Sequence, residues 1–119
     1  MRSLVITCTA GVEDPERCNQ AFTVAAAAVA AGAEVSLWLT GEAAWFGVPG
    51  RAEEFHLELA GSLADARDLV ADQGRLVICS QCAARRGITE SDLVPGAHIA
   101  GATSFAEEIL QEGVQALVY

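Results

Sequence analysis

Positive charge is scarce in this chain of 119 residues, which sets 7 Lys and Arg against 16 Asp and Glu for a formal net charge of −9. The basic residues are scattered, with Arg85-Arg86 the one adjacent pair. That excludes DNA, RNA and anionic membrane surfaces as expected partners, since each calls for clustered cations. Long apolar runs are also missing. The most apolar stretch, Ala21 to Ala33, is built mainly of alanine and falls short of the ~20 residues that span a bilayer. The opening Met1-Arg2-Ser3-Leu4-Val5-Ile6-Thr7 has too short an apolar core for a signal peptide, and no A-x-A site follows. A cytoplasmic location is therefore expected.

Several motifs are absent. The loop Thr9-Ala10-Gly11-Val12-Glu13-Asp14 holds a single glycine and two carboxylates where a dinucleotide-binding chain would place G-x-G-x-x-G. Acidic groups there would repel a pyrophosphate. No G-x-x-x-x-G-K-[ST] occurs, nor a phosphate loop rich in Ser and Thr. Without G-x-S-x-G, a Ser/His/Asp triad has no footing. A structural zinc site needs about four soft ligands, usually paired C-x-x-C units. One such unit is present, and Cys8, Cys18, His56 and His98 share no ligand spacing with it. The chain is expected to use neither a metal nor an organic cofactor.

What is present reads as one domain over residues 1–119, with 52% hydrophobic content to fill one core. Apolar runs at 3–8, 33–39, 75–79, 97–100 and 114–119 read as strands. Helices are expected from Pro15 to about Ala31, capped by Asp14 and stopped by Gly32, and from Ser62 to about Asp72. A short helix follows Cys79, and another runs from Phe105 to Glu112 behind Ser104. Alternating strands and helices imply right-handed crossovers, giving a Rossmann-like α/β fold with a mostly parallel sheet and helices on both faces. The helix over Ala21 to Ala31 is apolar on every side, which points to a subunit interface; alanine as a good helix former is the other explanation. Trp45-Phe46 sits on a turn after the second strand, as a pocket roof, a partner contact or a core plug. The stretch 51–61 alternates Phe55, Leu57 and Leu59 with Glu54, His56 and Glu58, yet its glutamates favour helix, so both remain open.

The chemistry concentrates at Gly74-Arg75-Leu76-Val77-Ile78-Cys79-Ser80-Gln81-Cys82-Ala83-Ala84-Arg85-Arg86-Gly87. An apolar strand runs into Cys79, Ser80 is placed to cap a short helix, and Gly87 suits its stop. A thiol at the carboxyl end of a parallel strand and over a helix start favours the thiolate, and Arg85 or Arg86 adds positive potential. Cys79 as a small hydrophobe that extends the strand is the competing explanation. Cys82, three residues on, lies one turn along the same face, where it could resolve an oxidised or persulfidated Cys79. Cys8 and Cys18 fall on the same sheet edge and could approach, or simply fill core.

At Leu76-Val77-Ile78-Cys79, followed by Arg85-Arg86-Gly87-Ile88, the chain resembles the DsrE/DsrF/DsrH-like sulfur-relay family. Sulfur-accepting members of that family carry an apolar strand, a cysteine and, six residues on, Arg-Arg-Gly-hydrophobic. The alanine-rich first helix, Ile99-Ala100-Gly101-Ala102 and the hydrophobic end at Tyr119 are similar too. The resemblance implies a three-layer α/β/α domain with a five-stranded parallel sheet, assembly into trimers or hexamers, and a persulfide carried between sulfur donor and acceptor proteins. By position the carrier is Cys79. Cys82 departs from the family pattern, where that place usually holds a small apolar residue, and opens a thiol-disulfide alternative. A non-enzymatic oligomeric interaction protein is the third reading.

Overall fold

Each apolar run expected to be a strand is one, and the chain lays them down in an order that decides which face each helix covers. The computed structural model describes residues 2–119. Its strands are β1 (Ser3–Cys8), β2 (Glu34–Leu39), β3 (Arg75–Cys79), β4 (Ala97–Ala100) and β5 (Val114–Val118). Its helices are α1 (Pro15–Ala30), α2 (Arg51–Glu54), α3 (Leu63–Gln73), α4 (Ser80–Arg85) and α5 (Ala102–Ile109), with 3-10 turns at Gly41–Gly47 and Glu90–Asp92. The sheet order is β4-β3-β2-β1-β5, and all four pairings are parallel. The expected α/β class with helices on both faces is what forms. No helix among the described residues is long and apolar enough to cross a membrane.

From β1 to β4 the chain steps outward in one direction, and then it returns across the whole sheet to set β5 on the far side of β1. Right-handed crossovers put the early helices on one face and the returning α5 on the other. The larger core accordingly gathers Phe22 and Ala25 of α1, Val70 of α3 and Cys82 and Ala83 of α4 against Ile6, Leu37, Leu76 and Ile78. The smaller core gathers Phe105 and Ile109 of α5 against Val5, Trp38 and Val77. Strands covered on both sides need apolar residues at successive positions, which is why these runs barely alternate.

Local signals set most boundaries. Asp14 accepts the Arg17 N–H at the start of α1, with Pro15 in the first helical position, and Ser62 accepts the Asp65 N–H at the start of α3. One open reading is settled and one expectation is corrected. Of the two readings left for the stretch after residue 50, the helical one holds for a single turn, α2, and irregular chain follows. Glu53 serves α3, because the buried Arg67 forks onto it at 3.0 and 2.6 Å and takes Asp68 at 2.9 Å. That guanidinium holds the Glu53 carboxyl down at about 2. The last helix begins at Ala102, three residues before Phe105, because the chain turns at Gly101 and Ser104 makes no capping bond.

On α1, Cys18, Ala21, Phe22, Ala25 and Val29 are buried, while Thr23, Ala27 and Ala30 are exposed, so the alanine helix has an inner and an outer side. Phe46 is a core plug, edge-on to Phe22 and Phe55, whereas Trp45 is only half-buried under the Arg51 guanidinium, 4.1 Å from its ring.

One carboxylate takes two buried donors of the smaller face. Glu108 of α5 accepts the Trp38 indole N–H at 2.9 Å and the Ser36 hydroxyl, with Arg75 at 3.4 Å. Trp38 itself stacks edge-on with Phe105 at 5.1 Å. Removing the carboxylate strands two buried donors. Glu108→Ala is expected to lower the unfolding free energy by about 3 kcal/mol, against about 0.5 kcal/mol or less for the exposed neighbour Glu107→Ala. Urea titration followed by tryptophan fluorescence compares them, and equal losses would show that Glu108 does not clamp this face.

Candidate functional site: a thiol where the chain changes faces

The connection leaving β3 packs α4 into the larger core, while the connection leaving β4 takes α5 to the opposite face. Adjacent strands whose exits diverge leave a crevice at their carboxyl ends, which is where open parallel sheets build sites. Cys79, paired in register with Ala100, ends β3 at that point. Leu76, Val77 and Ile78 before it are buried, whereas Cys79 is partly exposed.

The strand passes into α4 without a loop. Cys79 therefore takes the cap position itself and Ser80 is the first helical residue, with no side-chain capping bond. This corrects the expected role of Ser80 as cap. Its hydroxyl instead borders Gly101, where an added Cβ would come within 3.1 Å of Ser80 Oγ. The crevice floor is narrow enough to favour glycine there.

Partial burial works against ionising Cys79. It is outweighed by the dipoles of the nearby Cys82 N–H, Cys82 thiol and Gln81 N–H, and then by the charge of Arg85, so the thiol sits below its usual range. The two arginines divide their work. Arg85 is exposed and contributes charge. Arg86 is a strap: its Nε and Nη2 donate to Glu42 Oε2 at 3.0 and 2.7 Å, and its Nη1 donates to the Cys82 carbonyl at 3.1 Å. The strap joins α4 to the 3-10 turn after β2. Within that turn the Gly41 N–H donates to Cys82 Sγ at 3.2 Å. Gly41 has φ +54°, and a Cβ on it would lie 2.9 Å from the Thr9 carbonyl, so only glycine serves. Cys82 is 9% exposed.

Of the expected site residues, Cys79, Ser80, Cys82, Arg85 and Arg86 share this end of the sheet. Cys8 and Cys18 do not join them. Both are fully buried, β2 lies between β1 and β3, and that alone separates the strands by roughly 10 Å. They form their own pair: the Cys8 thiol bonds the Ala10 carbonyl at 3.3 Å, and the Cys8 sulfur with burial pushes the Cys18 thiol up. His56 is exposed, and His98 faces Glu90 at 3.3 Å. Among the described residues, no three His, Cys, Asp or Glu side chains gather as a metal site would require. Gly41, Glu42 and Gly101 escaped the sequence reading, since only the strand order brings them beside Cys79.

A doubly wound, all-parallel sheet of five strands defines a class of small α/β proteins, and the chain has that fold. The chain belongs to the DsrE/DsrF-like family, whose model matches residues 2–119. Among solved structures it is similar to the ychN protein of E. coli, with a TM-score of 0.83 and 19% identity over 100% of both chains. It is also similar to MTH1491, a protein of unknown function from Methanobacterium thermoautotrophicum, with a TM-score of 0.76 and 12% identity over 100% of both chains. A third, BT1422 from Bacteroides thetaiotaomicron, has a TM-score of 0.59 and 15% identity, with 98% of this chain and 94% of that one covered. At these identities the likeness speaks for the fold. No curated protein matches the chain.

The site's electrostatics make a measurable claim about reactivity. Cys79 is expected to alkylate with iodoacetamide faster than a free cysteine at neutral pH, with the midpoint of its rate profile below the ordinary thiol value. Cys8 and Cys18 stay unlabelled in the folded chain. Arg85→Ala is expected to move the midpoint upward, and a profile indistinguishable from free cysteine would contradict the arrangement.

Proposed function

We propose that the protein handles sulfur by accepting a sulfane sulfur on Cys79 and passing it to a partner. Family membership supports a sulfur-relay type of role in general. The observation that carries the finer reading is a partly exposed thiol, lowered in pKa, at the point where β3 and β4 part. In the loading step the Cys79 thiolate attacks the outer sulfur of a donor persulfide. A sulfur–sulfur bond forms on Cys79, the donor's own bond breaks, and the donor leaves as a thiolate. Delivery repeats the exchange, with the acceptor thiolate attacking the outer sulfur now on Cys79. Neither step uses a metal or an organic cofactor. Arg85 favours the anionic thiol before loading, and Arg86 positions α4.

A cytoplasmic setting, where thiols stay reduced, suits this chemistry. A second reading, thiol-disulfide exchange through Cys79 and Cys82, draws on the placement of the two cysteines at the cap and in the first turn of one short helix. The loading step is tested by incubating the protein with an organic persulfide and mapping its peptides by mass. At the earliest time points wild type is expected to carry one added sulfur at Cys79, before that product reacts further, and Cys79→Ser none. Absence of any Cys79 product would overturn the assignment.

Self-association belongs to the same proposal. Leu117 and Val118 of the edge strand β5 are 40% and 69% exposed, on its two faces, and Leu110, just past α5, is 81% exposed, apolar surface that a second copy would cover. The outer alanines of α1 offer another face. Sedimentation is expected to give an oligomer, a trimer or hexamer by analogy with the family, that Leu110→Asp with Val118→Asp weakens. A monomer at tens of micromolar would count against it.

A further inference from the structure

Cys82 is held in a way that a core filler does not require. A buried free cysteine normally acts as a small hydrophobe with a weak S–H. Here the sulfur accepts the Gly41 N–H at 3.2 Å, the carbonyl of the same residue accepts Arg86 Nη1 at 3.1 Å, and the residue lies in the first turn of the helix that Cys79 caps. Arg86 secures both sides of this arrangement, because its other nitrogens grip Glu42, the residue after Gly41. A fixed N–H aimed at sulfur, with the strap beside it, holds the Cys82 side chain in one place.

The two sulfurs also differ in access. Cys79 is partly open to solvent, whereas Cys82 is 9% exposed and sits one helical turn further into the protein. A sulfur added on Cys79 has room on the solvent side, which leaves the original Cys79 Sγ, now the inner sulfur of a persulfide, as the atom nearer to Cys82.

We propose that Cys82 is the resolving thiol of this site: it attacks the inner sulfur of a Cys79 persulfide and releases the outer sulfur as hydrosulfide. The inference rests on Cys79 as the sulfur acceptor. In the step, the bond between Cys79 Sγ and the outer sulfur breaks, and a Cys79–Cys82 disulfide forms. The electron pair of the broken bond leaves on hydrosulfide, and the Cys82 proton goes to solvent or to that leaving group. Cys82 sulfur is oxidised by one unit and the outer sulfur is reduced by one, so the balance closes with no outside oxidant. Each chain performs the step once, and a dithiol reductant must reopen the disulfide before the next. An acceptor thiol that reaches the outer sulfur first takes it intact. Cys82 therefore sets how long the site waits for a partner.

The full-length protein, freshly reduced and desalted, is loaded with glutathione persulfide, desalted again and followed by peptide mass mapping and a sulfide assay. Wild type is expected to release one hydrosulfide per chain and to become lighter by two hydrogens, with Cys79 joined to Cys82. Cys82→Ser and Cys82→Ala are expected to keep the extra sulfur on Cys79 at least about tenfold longer. Equal persistence in wild type and both variants overturns the resolving role, as does transfer of the added sulfur onto Cys82. A folded variant that never gains sulfur at Cys79 overturns the acceptor reading instead. Unchanged thermal transitions in the two variants separate these outcomes from misfolding.

Discussion

The constraint on which this molecule depends is the reversal in its winding. Four strands are added in one direction and the fifth is carried back across all of them, so the exits of β3 and β4 must part to opposite faces. The crevice follows from that parting and not from any loop insertion. Because the strand feeds the helix directly, the residue at the parting is both the end of a ladder and the cap of a helix. A cysteine in that place has buried aliphatic residues behind it, peptide N–H groups beside it and solvent in front. Each of the three acts on its proton affinity, and the donors prevail over burial.

Much of this was legible in the residues alone. Strand boundaries, the Asp14-Pro15 and Ser62 starts and the parallel α/β class follow from local rules, because a helix cap or a doubly covered strand leaves a mark within a few positions. The position of Cys79 at a strand–helix junction was legible for the same reason. What was not legible is non-local. Gly41 and Glu42 lie far from Cys82 in sequence, and they meet it because β2 and β3 are neighbours. Ser80 misled because capping statistics presume a loop before the helix, and here there is none. Phe55, Leu57 and Leu59 alternate like a strand but pair with none: Phe55 turns into the core against Phe46, and Leu59 ends with φ +64° and full exposure.

The adjacent arginines show how one motif carries two physical jobs. Arg85 acts at a distance through its charge, whereas Arg86 acts through directed bonds that tie the helix carrying Cys82 to the turn after β2. A lysine would keep some of the first effect, but it has no planar fork with which to reproduce the second. The separate, sealed pair of Cys8 and Cys18 shows that sulfur on this sheet edge is not reactive by position alone.

The uneven covering of the sheet has a consequence for motion. One face is roofed by α1 and α3, and the other by the eight-residue α5 alone, pinned chiefly through Glu108 and Phe105. Amide protons beneath a roof that small exchange through local opening well below the global unfolding cost. Because Gly101 caps α5 beside Ser80, local opening of that roof takes place next to Cys79.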